Sequence, residues 1–331
     1  MKTTSINVFT HIIPCYNHCK YCLLSWDGKV IGADYERSEK YAKRFSDWLK
    51  INHPEIKFSF YFGYSMEHPE LLNTISTLKE IGSPSASFLQ FDGMKMRTLA
   101  EIECFVKGLK TAGIKTLNFT FYGTKDFHDK FAGRIGDYDL MINTIEGALE
   151  NGLNIEVGIP AIKDNLCQLD YLIDYFEKKV DRLLIFIPHS KGRGVNLIDH
   201  KITLADYELL SDKVKIYFNR NINKTPMEWL KSDIKGEEYR VLNISLTNDN
   251  IEHFESQSFE ETIKEIEIMD DTYYSIVPSF KELLSKYVDD IDNCLYTKKD
   301  LYYIYQKRYI QENGLEFANV NDERYCGSIR Y

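Results

Sequence analysis

The sequence predicts an α/β protein with parallel strands, and three observations carry that prediction. Short apolar, β-branched or aromatic runs alternate with segments of helical spacing from residue 5 to residue 216. Gly113 and Gly152 each follow a helical segment and precede a run, where a left-handed residue closes a helix. A knot of cysteines follows the first run, and parallel α/β folds gather their chemistry at the C-terminal ends of strands.

The runs occupy residues 6–13, 58–62, 86–91, 116–122, 154–159 and 183–188. The helical segments lie at 35–50, 69–81, 99–112, 138–150, 169–179 and 204–218. In the third of these, Leu99, Ile102, Phe105, Val106 and Leu109 share one face. Six β-α units in a row imply right-handed crossovers, which a doubly wound sheet and a barrel satisfy equally. Beyond residue 220 the alternation fades. A strand is expected at 240–246, a solvated acidic helix face at 252–271, and helices at 280–288 and 298–311. Leu301-Tyr302-Tyr303-Ile304-Tyr305 reads as core packing. With no repeat or Pro-rich hinge, residues 221–331 are expected to pack on a core region of residues 1–220, with substrate binding as their candidate role.

At 331 residues the chain can bury a large core. A net charge of −9 argues against a nucleic-acid partner. No apolar run has the length of a membrane span and no signal peptide opens the chain, so a cytoplasmic location is expected. The first strand is expected almost at once, so an N-terminal peptide-recognition domain is not expected. Three of the seven cysteines fall within eight residues and the others are scattered, which favours a metal site over a disulfide framework. Cys104 and Cys167, on helical patterns, read as small core residues.

The cluster is Cys15-Tyr16-Asn17-His18-Cys19-Lys20-Tyr21-Cys22. Three thiolates at this spacing can converge on one soft-metal centre. A four-iron cluster takes four ligands, so three cysteines leave one iron open to a small molecule, and an open position points to chemistry. Zinc with His18 or His11 as fourth ligand is the competing assignment, although His18 adjoins Cys19 in the same turn and no second cysteine pair lies nearby.

Cys-x3-Cys-x2-Cys with an aromatic residue before the last cysteine resembles the signature of the radical SAM superfamily. Further segments resemble it in order and spacing over about residues 5–216. Residues 62–72, with His68-Pro69-Glu70-Leu71, match the place and tail of that family's Gly-Gly-Glu-Pro segment. Asp92-Gly93 ends the third run where Asn-Gly is common. Thr120-Phe121-Tyr122-Gly123-Thr124, His128-Asp129, Ala132-Gly133 and Gly136-Asp137-Tyr138 resemble the fourth β-α segment of the branch that contains SPASM-type peptide maturases. Gly192-Arg193-Gly194 also falls at a familiar place.

The resemblance implies a partial (β/α)6 TIM-like barrel with a smaller α/β C-terminal region. It implies one four-iron four-sulfur cluster on Cys15, Cys19 and Cys22, with S-adenosylmethionine (SAM) on the fourth iron. Reductive cleavage of SAM would yield a radical that abstracts a substrate hydrogen. By position, Tyr21 would lie beside the adenine, Gly63 would let the strand end approach the methionine amino group, Thr120 and Asn165 would meet the ribose or carboxylate, and Ile187 would flank the adenine. The sequence departs from the pattern at Phe62 and Tyr64, which stand where the family has Gly and Glu. Ser65, Tyr64 or a backbone carbonyl must then take the amino group, and Glu67 aligns with an apolar position. A flavodoxin- or ferredoxin-type reductant is implied as partner. The substrate is expected to be a peptide, with a small molecule or nucleotide as the alternative, and a non-enzymatic iron–sulfur or zinc protein is the reading outside enzymes. Cys294 and Cys326 are too few to bind a second cluster. Cys326 is a candidate hydrogen-atom donor to a substrate radical.

Overall fold

The computed structural model of the chain describes residues 1–10, 15–25, 32–62, 67–81, 83, 86–234, 238–288, 293–317 and 326–330. The strands are β1 (Lys2–Thr10), β2 (Lys57–Phe62), β3 (Phe88–Gln90), β4 (Thr116–Thr120), β5 (Asn154–Pro160), β6 (Arg182–Phe186), β7 (Tyr239–Leu246) and β8 (Gly327–Arg330). The helices that alternate with the first six are α1 (Tyr35–Asn52), α2 (Leu71–Ile81), α3 (Leu99–Ala112), α4 (Lys125–Ala132), α5 (Asp137–Glu150) and α6 (Leu169–Phe176). The chain continues through α7 (Leu204–Glu208), α8 (Asp212–Tyr217), α9 (Pro226–Lys231), α10 (Ile251–Ser256), α11 (Phe259–Ile276), α12 (Phe280–Tyr287) and α13 (Lys298–Glu312).

The fold class is the expected α/β one, an arrangement of parallel strands and crossover helices. Among the described residues the strands form two four-stranded sheets, ordered β3-β4-β5-β6 and β2-β1-β7-β8. Every pairing is parallel except β7 with β8. Sheet hydrogen bonding extends beyond residue 220, because β7 runs beside β1 from Lys2 opposite Tyr239 to Thr10 opposite Leu246. Strand β8 then covers the outer edge of β7 from Arg240 to Asn243.

Local signals account for the helix ends. Thr98 and Glu101 form a reciprocal capping box at the start of α3, and Gly113 ends it at φ 103°. One apolar core lies on the β3–β6 sheet under α3, α5 and α6, built on Leu117, Phe119, Ile155 and Val157. A second joins β1, β2 and β7 to α1 through Ile6, Val8, Phe45, Phe60 and Ile244. A third holds α11, α12 and α13 together.

The structure corrects several expectations. The segment 204–218 is two helices, because Ser211 accepts the Val214 N–H at 3.2 Å and starts a second one. Cys104 and Cys167 are exposed, since each lies on the outward side of its turn. The acidic stretch is not wholly solvated: Asp270 is fully buried and accepts hydrogen bonds from Arg240 at 3.0 Å and Arg330 at 2.8 Å. Most of the Leu301–Tyr305 run is buried, as its apolar character requires. Among the described residues no helix is long and apolar enough to cross a membrane.

Candidate cysteine-cluster site

Strand alternation builds one wall of the site. Successive side chains on a strand point to opposite faces, so residues two apart share a face. Gln90 pairs with Asn118, and Thr120, Gly158 and Leu184 are register partners across β4, β5 and β6. These residues, with Asp92, Tyr122 and Phe186 just beyond them on the same parity, line a cavity of about 270 Å³ at the C-terminal ends of the strands. Cys15, Asn17, Cys19, Tyr21 and Cys22 close it from the loop after β1, and His189 adds a polar group at its rim.

The loop that carries the thiols is tied to two strand ends and one helix end. Tyr16 N–H donates to Gly93 O at 2.7 Å after β3. His18 and Lys20 N–H groups donate to Ala132 O at 2.8 Å and Phe131 O at 3.1 Å, at the end of α4. Arg193 N–H donates to Cys22 O at 3.0 Å after β6. Buried Asn17 donates from Nδ2 to Asp137 Oδ2 at 2.8 Å, and His128 Nε2 meets the same oxygen at 3.2 Å. Because His128 Nδ1 accepts the Tyr122 N–H, its proton sits on Nε2 and points to Asp137. Arg134 completes the group around Asp137. Burial alone would raise the Asp137 carboxyl, but His128 and Arg134 overcome it and hold it below its ordinary value. The polar residues of the fourth β-α segment thus hold the cysteine loop in place.

Two glycines are required by close approach. Gly93, at φ 70°, leaves the space that Cys15 Sγ occupies: a Cβ there would lie 2.2 Å from the sulfur. Gly192, at φ 55°, lies under the other end of the loop, where a Cβ would meet Leu23 O at 2.3 Å and Cys22 O at 2.5 Å.

Electrostatically the site disfavours bare thiolates. Burial pushes the Cys15 thiol up to about 11 and Cys19 still further, and the cysteines raise one another. Tyr122 is buried and donates its hydroxyl to Cys19 Sγ at 3.3 Å. Burial also pushes Asp92 up to about 6, against the hydrogen bond from the Thr120 N–H.

The structure places Cys15, Cys19, Cys22, Tyr21 and Thr120 together at the cavity. Asn165 does not line it. Its Nδ2 is spent on Tyr122 O at 2.8 Å and Pro160 O at 2.7 Å, and its Oδ1 accepts the Ile162 N–H at 3.0 Å. Ile187 is buried in the first core instead, because the parity that turns Leu184 and Phe186 to the cavity turns residue 187 away. Gly63, Tyr64 and Ser65 lie outside the described residues. Cys326 packs against the second core, with Sγ 3.6 Å from Ser245 O, and is not among the cavity residues. Gln90, Asn118, Leu184, Phe186 and His189 were not singled out from sequence. The first four share the strand parity of Thr120, which is the signal that finds them.

Among the described residues no three His, Cys, Asp or Glu side chains are gathered tightly enough for a single metal ion. The cavity still fits a larger group. Three soft donors from one loop face it, Gly93 clears a place for one of them, and space for a small molecule remains beside them.

No protein-family model matches the chain. A curated relative, the Fe-coproporphyrin III synthase of Methanosarcina barkeri, is 23% identical over 101 residues, which cover 30% of this chain and 25% of the relative. All three thiols of the cysteine signature stand together at the strand-end cavity. Among solved structures, SuiB of Streptococcus suis bound to precursor peptide SuiA superposes with a TM-score of 0.49 at 18% identity, covering 65% of this chain and 46% of that one. Coproporphyrinogen III oxidase HemN of Escherichia coli, described as a radical SAM enzyme, superposes with a TM-score of 0.42 at 10% identity, covering 93% and 91%. The chain spans a quarter of the curated relative it matches and under half of SuiB.

Proposed function

We propose that this chain is a radical SAM enzyme that holds a four-iron four-sulfur cluster on Cys15, Cys19 and Cys22. The observation that carries the reading is the meeting of three thiols on one cavity at the ends of parallel strands, with Gly93 making room for Cys15. When bound, the cluster supplies the electron for reductive cleavage of SAM, and so for abstraction of a substrate hydrogen atom. The chain's own residues hold and enclose the site. The ties from Gly93, Ala132, Phe131 and Arg193 fix the loop, and Asn17 anchors it to Asp137. Leu23, Leu24, Leu184 and Phe186 supply apolar walls that limit water around a reactive species. Tyr21 packs at 5.4 Å from Tyr122 and 6.0 Å from Phe131, which fixes its ring at the cavity wall.

For the substrate, likeness of the fourth β-α segment to peptide maturases supports a peptide. The matched segment of a coproporphyrin enzyme supports a small molecule as the alternative. A flavodoxin- or ferredoxin-type protein is the proposed reductant. The test is anaerobic reconstitution followed by dithionite and SAM, with 5′-deoxyadenosine measured. A protein loaded with four irons that forms none is the non-enzymatic iron–sulfur protein, and the proposal fails. Simultaneous Cys15→Ala, Cys19→Ala and Cys22→Ala should abolish iron loading.

A further inference from the structure

Among the described residues that line the cavity the one carboxylate is Asp92, just after β3. Three donors hold it: Thr120 N–H to Oδ1 at 3.2 Å, Thr120 Oγ1 to Oδ2 at 3.2 Å, and Gln90 Nε2 to Oδ2 at 3.3 Å. A carboxylate offers about four lone-pair sites, so these fix its direction and leave acceptor capacity for a ligand. Two other acids near this end of the sheet are already committed: Asp137 to Asn17, His128 and Arg134, and Glu67 to Arg97. Arg97 donates to the two Glu67 oxygens at 2.6 and 2.9 Å, the Lys95 N–H reaches Glu67 at 3.0 Å, and the Glu67 side chain is only 7% exposed. Residues 63–66 are Gly, Tyr, Ser and Met, which bring no carboxylate. Among the described residues that line the cavity there is no Lys or Arg beside Asp92. An anionic group between apolar walls is stabilised by a cationic ligand, and SAM carries an ammonium as well as a sulfonium.

We propose that Asp92 binds the ammonium of the methionine moiety of SAM, a binding role taken by β3 rather than β2 in this chain. The assignment rests on the radical SAM reading above. It is tested with cluster-loaded protein by anaerobic equilibrium binding of SAM and of methylthioadenosine, which lacks the amino acid moiety. The electron paramagnetic resonance spectrum of the reduced cluster, with and without SAM, is the second readout. Asp92→Asn should keep its iron content, lose at least tenfold in SAM affinity, bind methylthioadenosine like the wild type, and show a weakened spectral response to SAM. Equal SAM affinity in the two proteins overturns the assignment, and so does an equal loss for both ligands. If Asp92→Asn fails to load iron, Asp92→Glu is compared with Asp92→Gln, where the charged variant should bind SAM more tightly and parity overturns the idea. A cluster-loaded wild type that binds no SAM is a different outcome: the functional reading itself falls, and this assignment with it.

Discussion

Replacing Gly93 by alanine should separate cluster loading from folding. Residue 93 sits at φ 70°, where an L side chain costs about 1–2 kcal/mol. The new Cβ would also stand 2.2 Å from Cys15 Sγ and 3.4 Å from its Cβ. The thiol must therefore swing away, because the loop backbone on either side is held by the Tyr16–Gly93 and His18–Ala132 hydrogen bonds. Gly314 provides the control, with φ 60° and nothing within 4 Å of its would-be Cβ, so Gly314→Ala bears the backbone cost alone. That cost corresponds to a fall in Tm of about 2–4 °C per kcal/mol. Both variants should fold by circular dichroism. After anaerobic reconstitution, Gly314→Ala should hold the wild-type iron content and Gly93→Ala well under half of it, with visible absorbance reduced in proportion. Wild-type iron in Gly93→Ala would refute the reasoning, since it would mean the thiol does not need the space the glycine leaves.

Tyr122→Phe removes the hydroxyl that reaches Cys19 Sγ at 3.3 Å. Loss of a hydrogen bond worth about 1 kcal/mol should lower the cluster's midpoint potential by on the order of 40 mV, read by redox titration, and an unchanged potential would show that the contact does not persist. Asp300 on α13 is buried and accepts Lys201 Nζ at 2.8 Å and Ser190 N–H at 2.6 Å, so Asp300→Ala should destabilise by about 3–5 kcal/mol in chemical denaturation. Burial alone would raise the Asp300 carboxyl, but the Lys201 charge prevails and holds it below its ordinary value. Its stabilisation is therefore complete above the ordinary carboxylate range and lost as pH falls below it, so the gap between wild type and Asp300→Asn should shrink from pH 7 to pH 3. For Cys326, a hydrogen-atom donor must reach the cavity from the second core. A Cys326→Ala protein that forms the same product at the same rate would end that role.

Much of the fold is legible because it is local. Amphipathic spacing and the Thr98 and Gly113 caps act within a few residues, and α3 begins and ends where they place it. Strand β3 is the weaker case, three residues long against six expected, since its pairing depends on β4 rather than on its own composition. Strand β8 and the burial of Asp270 were not legible, because both depend on partners about thirty to ninety residues away.

The cysteine octet by itself determined that three soft donors stand together, since within eight residues they form one unit whatever surrounds them. Only the tertiary structure decided which other residues share their cavity. Strand register and side-chain parity turned Asp92, Thr120, Tyr122 and Phe186 inward, turned Ile187 away, and left Asn165 holding backbone carbonyls. It also bound Glu67 to Arg97 and left Asp92 facing the cavity. The physical reason is that ligand spacing along the chain is local, whereas a binding wall is assembled from strand ends that meet only when the sheet forms.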